Sequence, residues 1–265
     1  MNPETPTHDA YHSLLLFLRD HRGFDFTGYK EASLRRRINK RMHDVGVDGY
    51  AAYEEMLETH PDEVVYLFNT ILINVTSFFR DPEAWEYLAD NVLPRLVAKR
   101  DGEWQVRAWS AGCATGEEAY SLAMLLAEAM GRDEFRARCK VYATDVDEDA
   151  LAFARHAKYS RQAVEAVPAG LRKKYFGEVG GAYLFSPELR RSVVFGRLDL
   201  VQDAPISRIN LLDCRNTLMY VNAETQARIA TRFALEDSGV LLTLSPFVGA
   251  RKDSQGVVLV MEEVK

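Results

Sequence analysis

The chain has 265 residues, a formal net charge of −6 at pH 7 and 47% hydrophobic residues. This length allows one or two domains with a sizeable buried core, and it excludes a small scaffold that depends on disulfides or a metal. The acidic balance argues against broad non-specific binding to nucleic acid or to anionic lipid. Three cysteines without a CxxC spacing are typical of reduced thiols and predict no structural metal site. Since the sequence has no signal-peptide pattern and no apolar stretch near 18 residues, we expect a cytoplasmic protein that does not insert into a membrane.

The first hundred residues predict helices. Their apolar residues recur every three to four positions, and Gly, Asn or Pro interrupts the pattern between segments. Phe78 and Phe79 are expected to pack in the core. The sequence therefore predicts an all-helical N-terminal domain over residues 1–85, with a long helix joining it to the remainder of the chain. The predicted helices cover residues 11–21, 33–43, 50–59, 63–72 and 82–99.

After Gly102 the pattern changes to short β-rich segments separated mostly by helical ones. Alternation of this kind predicts an α/β domain over residues 86–265, in which a mainly parallel sheet has helices on both faces. A Gly-Gly turn followed by Tyr183, Leu184 and Phe185 predicts a small antiparallel β-subdomain near residues 180–197. The predicted strands cover residues 105–110, 140–144, 192–195, 209–213, 239–245 and 257–262.

A glycine turn follows the first predicted strand. In AWSAGCATGEEAYSLAM the strand ends at Ser110, Gly112 and Gly116 bracket the turn, and a helix begins with Glu117 and Glu118. A phosphate-binding loop would place Lys and then Ser or Thr after its last glycine, whereas two carboxylates follow here. The turn therefore favours a cationic ligand that approaches the backbone closely. A plain strand-to-helix turn, with acids favourable at the helix N-terminus, is the alternative.

The second predicted strand, in VYATDVDEDALAFAR, ends in acids. Asp145 lies at its carboxyl end, where nucleotide-binding sheets place an acid that binds ribose hydroxyls. Asp147 or Asp149 is expected to cap the next helix, and capping is also the alternative role of Asp145. The glycine turn and Asp145 together indicate a nucleoside site. Hydride-transfer enzymes that use dinucleotides share this plan, but the chain lacks their GxGxxG turn.

Five segments occur in the order and spacing that CheR-type chemoreceptor methyltransferases show: INVTSFFRD, WSAGCATGEEAYSLAM, YATDVDEDAL, SPELRRSVVF and LLDCRNTLMY. The chain resembles this family from about residue 10 to about residue 235. The resemblance implies a helical N-terminal domain followed by a Rossmann-like methyltransferase domain with a small inserted β-subdomain. It also implies methylation of glutamate side chains on chemoreceptor cytoplasmic domains, with S-adenosylmethionine as cofactor and S-adenosylhomocysteine as product.

The resemblance further implies the roles of individual residues. It assigns catalysis to Arg80 and Tyr220, and it implies no metal. Asp199 stands where the family has an asparagine, which removes an amide donor near the adenine, and LSPFVGARKDSQG replaces the family's ending of the strand after Gly239. The residues assigned to the cofactor are Asn74, Thr76, Arg80, Gly112, Glu118, Asp145, Asp199, Leu200, Arg215 and Asn216.

A basic segment lies within the N-terminal domain, where residues 19–43 hold eight Lys or Arg against three acids. Leu34, Ile38 and Met42 form the predicted inward stripe of one helix. The resemblance implies that this helix docks onto the acidic coiled coil of a chemoreceptor, which is the expected partner. The enzyme is expected to be a monomer. A solvated surface is the alternative, and RNA binding is disfavoured because no aromatic residues are interleaved with the charges. The basic residues on the outer surface of the helix are Arg35, Arg36, Arg37, Lys40 and Arg41.

The predicted site is poor in acid–base groups. Beyond residue 100 the only histidine is His156, and its helical setting predicts a structural position. A glutamate substrate is already ionised near pH 7, so methyl transfer to it needs no general base.

Two further classes of function stay open. Asp199 and the altered segment after Gly239 are compatible with a cofactor-binding signalling or docking module that has weak or no turnover. One segment also resembles the version found in large fused sensor proteins, namely DAPISRINLLDCRNTLMYVNAETQARI. In that case the module would be one piece of a longer polypeptide. The second class is a methyltransferase that acts on nucleic acid or on a small molecule, and only the shared fold supports it.

Overall fold

The computed structural model describes residues 5–98, 104–235 and 240–242. The chain divides into two compact units. One contains the residues up to Ile73 together with Tyr220–Ile229, and the other contains Asn74–Met219 together with the described residues from Ala230 onwards. No helix in the described ranges combines the length and the apolar character that a membrane crossing requires.

The first unit is helical, as the apolar spacing predicts. α2 buries the predicted inward stripe of Leu34, Ile38 and Met42. Gly46 ends this helix at a φ of 74°, a left-handed conformation that glycine adopts without a steric penalty. The helices before the unit boundary are α1 (Thr5–Arg22), α2 (Glu31–Val45), α3 (Tyr50–Thr59) and α4 (Pro61–Ile71).

The boundary between the units lies between Ile73 and Asn74, and not at the predicted residues 85 and 86. Phe78 and Phe79 are buried in the core of the second unit, which confirms that they pack and explains why the boundary precedes them. The predicted helix 82–99 also belongs to the second unit and does not join the two. It consists of α5 (Pro82–Tyr87), a π-turn over Leu88–Val92 and α6 (Leu93–Ala98).

The remaining helices and the strands alternate along the chain. In chain order the strands are β1 (Val106–Ala111), β2 (Cys139–Asp145), β3 (Lys158–Tyr159), β4 (Phe176–Val179), β5 (Ala182–Phe185), β6 (Val193–Arg197), β7 (Leu211–Asp213) and β8 (Val240–Leu242). The helices are α7 (Glu117–Met130), α8 (Arg132–Arg138), α9 (Glu148–His156), α10 (Arg161–Val164), α11 (Ala169–Tyr175), α12 (Pro187–Arg190) and α13 (Ala223–Leu235).

A five-stranded sheet lies at the centre of the second unit. Its order is β6-β2-β1-β7-β8, and each neighbouring pair is parallel. α7, α8 and α9 pack against it, and α7 is buried almost all round, which its mainly apolar sequence requires. These strands confirm the predicted parallel sheet. The sixth predicted strand, at residues 257–262, lies outside the described residues.

A second, antiparallel sheet has the order β3-β5-β4. Gly180 and Gly181, at φ of 58° and 77°, form the predicted turn between β4 and β5. The predicted location near residues 180–197 holds for the turn and for β5, but the sheet as a whole covers residues 158–185. β6 instead pairs with β2 in the parallel sheet. Strands this short do not reveal their partners by local pattern, since pairing depends on segments distant in the sequence.

Candidate functional site

Several of the predicted cofactor residues lie at one edge of the parallel sheet. Ser110 of β1 is in register with Ala143 of β2 and with Asp213 of β7. Because parallel strands end at the same edge, the turn after β1, Asp145 at the end of β2 and Asp213 at the end of β7 are neighbours. Open parallel sheets bind their ligands at this edge.

The glycine turn between β1 and α7 is held in one conformation by its surroundings. Gly112 has a φ of 82° and donates its N–H to the Thr144 carbonyl at 2.8 Å. A Cβ at this position would collide with the hydroxyl of Thr217, so both the conformation and the space require glycine. Gly116 has a φ of 93° directly before α7, and a Cβ there would lie 2.8 Å from that of Ala154. Both glycines are therefore required by the packing of the turn against the protein's own side chains.

Asp145 is oriented by two backbone donors. Its Oδ2 accepts from the N–H of Ala114 at 2.8 Å, and its Oδ1 accepts from the N–H of Asp147 at 3.0 Å. Burial raises the pKa of this carboxyl. Each carboxylate oxygen has two lone pairs, so each can accept from one further donor. This arrangement suits a pair of neighbouring hydroxyl groups.

Asp147 caps α9, as predicted. Its Oδ1 accepts from the N–H groups of Asp149 and Ala150 at 2.9 and 3.0 Å. Its Oδ2 accepts from the side-chain amide of Asn74 at 2.6 Å. Asn74 thereby links the segment before α5 to the edge of the sheet. Thr76 lies in the same segment and is half-buried.

Glu118 lies in the first turn of α7 and is buried. Its Oε1 accepts from the Ser110 hydroxyl at 2.7 Å, and its Oε2 lies 3.5 Å from Nη2 of Arg215. Burial and the negative charge of Asp213 raise the pKa of Glu118 to about 8, against the opposing effect of Arg215. A cation bound next to Glu118 would favour the ionised carboxylate.

Arg215 joins separate parts of the site. Its Nε donates to Oδ1 of Asp213 at 2.9 Å, and its Nη1 donates to the carbonyl of Arg80 at 2.8 Å. The guanidinium also lies 4.2 Å from the ring centroid of Trp85. The side chain of Arg80 donates to the Val75 carbonyl at 2.9 Å. Both arginines therefore hold the protein's own segments in place at this edge.

Asp199 and Leu200 follow β6 at the same edge, where the N–H of Leu198 donates to the Asp145 carbonyl at 3.0 Å. Oδ1 of Asp199 accepts from the N–H of Val201 at 2.8 Å. Its Oδ2 is buried and has no hydrogen-bond partner in the part of the chain that the structure describes. Leu200 is half-buried beside it. A buried acceptor of this kind fits a ligand that brings its own donor.

Asn216 and Tyr220 follow Arg215 in the chain. Asn216 is half-buried and has a left-handed φ of 55°, which Asn adopts more readily than most residues. Tyr220 belongs to the first unit, where its carbonyl accepts from the N–H of Lys30 at 2.9 Å and its ring lies 5.9 Å from the guanidinium of Arg37. Its assigned role in the reaction stays a prediction.

The basic residues of α2 differ in their surroundings. Arg37 donates to the carbonyl of Ile71 at 2.8 Å, at the end of α4. Arg41 forms an ion pair with the buried carboxylate of Glu63 at 2.5 Å. Arg35 forms an ion pair with a glutamate one turn earlier and lies over an aromatic ring. These three side chains contribute to the packing of the first unit.

Arg36 and Lys40 point away from that packing. Arg36 is exposed, and the side chain of Lys40 is 72% exposed with its Nζ 3.3 Å from the carboxylate of Asp44. They therefore form the accessible part of the basic surface, here called the α2 basic face.

Sequence reasoning missed Ser110 and Asp213. Ser110 orients Glu118, and Asp213 holds Arg215. A signal was available for Asp213, because an acid at the carboxyl end of a predicted strand is the same pattern that identified Asp145.

The chemistry of the site fits S-adenosylmethionine. Its acceptors are the carboxylates of Glu118, Asp145 and Asp199, and the turn after β1 contains no Lys or Arg. The cofactor offers donors of matching kind, namely an ammonium group, two ribose hydroxyls and the adenine amine. Over the described ranges, no group of three or more His, Cys, Asp or Glu side chains is arranged to hold a metal ion.

Comparison with known proteins agrees with this site. The family model described as CheR methyltransferase, all-alpha domain, matches residues 9–72, and the one described as CheR methyltransferase, SAM binding domain, matches residues 74–244.

Individual relatives cover most of the chain. The chemotaxis protein methyltransferase of Listeria monocytogenes is 34% identical over 224 residues, which are 83% of this chain and 82% of that protein. An uncharacterized 104.1 kDa protein of Rhodobacter capsulatus is 38% identical over 219 residues, which are 82% of this chain but only 23% of that protein. The chain therefore belongs to the CheR methyltransferase family, and its residues 74–244 correspond to that family's S-adenosylmethionine-binding domain.

Proposed function

We propose that the chain transfers methyl groups from S-adenosylmethionine to glutamate side chains on the cytoplasmic domain of a chemoreceptor. The observation that carries this proposal is the set of carboxylates, Glu118, Asp145 and Asp199, assembled at the carboxyl edge of the sheet. Relatives named chemotaxis protein methyltransferase support the substrate class. We assign Glu118 to the cofactor's ammonium and Asp145 to its ribose hydroxyls.

The groups around the site suit a carboxylate acceptor. The cofactor supplies an electrophilic methyl group on a sulfonium, and a glutamate carboxylate attacks it without losing a proton. The only histidine beyond residue 100, His156, is exposed at the end of α9. The chain's residues therefore need to bind the cofactor, orient the substrate carboxylate and exclude water. None of them has to act as a general base.

Asp199 is compatible with adenine recognition, which the competent enzyme and the cofactor-binding module both require. The family's asparagine offers a donor and an acceptor, whereas Asp199 keeps a buried acceptor, Oδ2, that no described residue satisfies. We assign this oxygen to the amine of the adenine, which is a donor. The exchange then preserves adenine recognition. The altered segment after Gly239 lies largely outside the described residues.

The proposal is tested by incubating the full chain with radiolabelled S-adenosylmethionine and a receptor cytoplasmic fragment. We expect label on the fragment that mild base releases as methanol, because glutamate methyl esters hydrolyse whereas methylated amines do not. The Glu118→Gln chain serves as the control for transfer that depends on this site. Cofactor binding without transfer would favour the docking module, and base-stable label would indicate another class of substrate.

The α2 basic face is proposed to dock the acidic receptor surface. Replacing Arg36 and Lys40 together by glutamate should slow methylation of the receptor fragment by about tenfold at low salt and weaken its salt dependence, because two attractive charges become repulsive. Affinity for the cofactor should stay unchanged. Arg36 and Lys40 are the suitable pair, since a substitution of Arg37 or Arg41 would also remove packing contacts.

A matched control reverses two exposed charges elsewhere, Arg136 on α8 and Lys173 on α11. This variant has the same net charge as the α2 variant and should methylate the fragment like the wild type. Equal methylation rates for both double variants would mean that the α2 basic face is only a solvated surface.

A further inference from the structure

Two buried carboxylates share one guanidinium at the edge of the sheet. The residues of this cluster, Glu118, Asp213 and Arg215, are 8%, 3% and 4% exposed. Nε of Arg215 lies 2.9 Å from Oδ1 of Asp213, and its Nη2 lies 3.5 Å from Oε2 of Glu118. With both acids ionised, the cluster has one negative charge in excess where little water can solvate it. A buried charge without a counter-charge is strongly unfavourable.

The other titratable groups around the cluster do not remove this excess. Arg80 faces it as a cation, but its effect on the pKa of the glutamate is smaller than that of burial. Asp81 faces the guanidinium as an additional anion. The thiols of Cys113 and Cys214 stay protonated, because burial and the neighbouring carboxylates raise their pKa well above the ordinary value. The excess must therefore be balanced by a proton or by a cationic ligand.

We propose that Asp213 is a positioning residue of the cofactor site and that it couples binding of the cofactor's ammonium group to the release of one proton from the cluster. This inference rests on the proposed contact between the ammonium and Glu118. Without ligand, the proton resides on Glu118, whose pKa is raised to about 8 by burial and by the charge of Asp213. The ammonium displaces that proton to the solvent. Two carboxylates, one guanidinium and one ammonium then have no net charge.

The coupling also explains how the site selects its ligand. An adenosine derivative without the ammonium cannot replace the proton, so its binding leaves the cluster as it was. Only a ligand with a cationic group beside Glu118 ionises this side chain, and the resulting charge-assisted hydrogen bond contributes to affinity.

The first test uses the unmodified chain. Calorimetric titration with S-adenosylhomocysteine at pH 6.5, in phosphate and in imidazole buffer, measures proton release from the difference in heat. We expect close to one proton per ligand bound, since a group with a pKa of about 8 is protonated at this pH. 5′-Methylthioadenosine, which lacks the amino-acid part, should release none. Release below about 0.3 proton with the homocysteine ligand, or equal release with both ligands, would overturn the inference.

The second test uses Asp213→Asn, which keeps the shape of the side chain and removes its charge. In this variant Arg215 has Glu118 as its only acidic partner in the cluster. Glu118 is therefore already ionised before the ligand binds. Between pH 6.0 and pH 7.5 the wild-type affinity for S-adenosylhomocysteine should rise about twentyfold, and that of the variant less than threefold. The same pH dependence in both proteins would refute the role of Asp213, whereas a purely structural role would lower affinity equally at each pH.

These outcomes are separate from those of the proposed function. Ligand binding without proton release would contradict the coupling and leave methyl transfer untouched. Proton release with no label on the receptor fragment would support the coupling and contradict the transferase proposal. If the Asp213→Asn chain does not fold, the wild-type proton release still decides whether the coupling exists, and Asp213→Ser, which also removes the charge, replaces the asparagine variant in the pH series.

Discussion

Replacing Glu118 by glutamine or Asp145 by asparagine should weaken binding of S-adenosylmethionine by about ten- to a hundredfold. Each exchange keeps the size of the side chain and removes the negative charge that accepts from the ligand. Loss of a charge-assisted hydrogen bond costs about 1.5–3 kcal/mol, which corresponds to that range of affinity. Calorimetric titration of the full chain at pH 7.5 measures the effect.

Glu117 provides the matched control for this prediction. It is also a buried acid in the first turn of α7, but its Oε2 accepts from the Thr115 hydroxyl at 2.6 Å and it is not assigned to the cofactor. Glu117→Gln should therefore bind S-adenosylmethionine like the wild type. Unchanged affinity in both the Glu118 and the Asp145 variants, with the fold intact, would contradict the assignment of the site.

Replacing Arg215 by alanine should lower the free energy of unfolding of the second unit by about 3–5 kcal/mol. The change leaves two buried carboxylates, Glu118 and Asp213, without their shared counter-charge, which is the costly way to break a buried ion pair. Urea unfolding followed by tryptophan fluorescence measures the effect, because the three tryptophans, Trp85, Trp104 and Trp109, all belong to the second unit.

The pH dependence of this loss gives a second check. Without Arg215, the pKa values of both carboxyls in the folded state lie further above their values in the unfolded chain. As the pH rises, the carboxyls ionise more readily in the unfolded chain, and the folded state therefore loses stability. The difference between wild type and variant should therefore widen from pH 5 to pH 8. Arg136→Ala, which removes an exposed ion pair with Asp133, should cost less than about 1 kcal/mol at either pH. A comparable loss in both variants would show that Arg215 is not the centre of a buried charge network.

Local sequence signals determined much of the fold and part of the site. Apolar spacing identified the helices of the first unit, and β-rich segments identified the strands of the parallel sheet. Asp147 caps α9 as predicted, because capping depends on the next few backbone N–H groups. Asp145 and the glycine turn were also found locally, since each lies directly at the end of a strand.

The tertiary structure alone decided which side chains meet. The cluster of Glu118, Asp213 and Arg215 joins residues almost a hundred positions apart, and no local period encodes such a contact. The same reason explains the location of the antiparallel sheet and the engagement of Arg37 with the end of α4. The sequence by itself therefore determined the elements and the strand-end acids, whereas the charge balance of the site depends on burial and long-range packing.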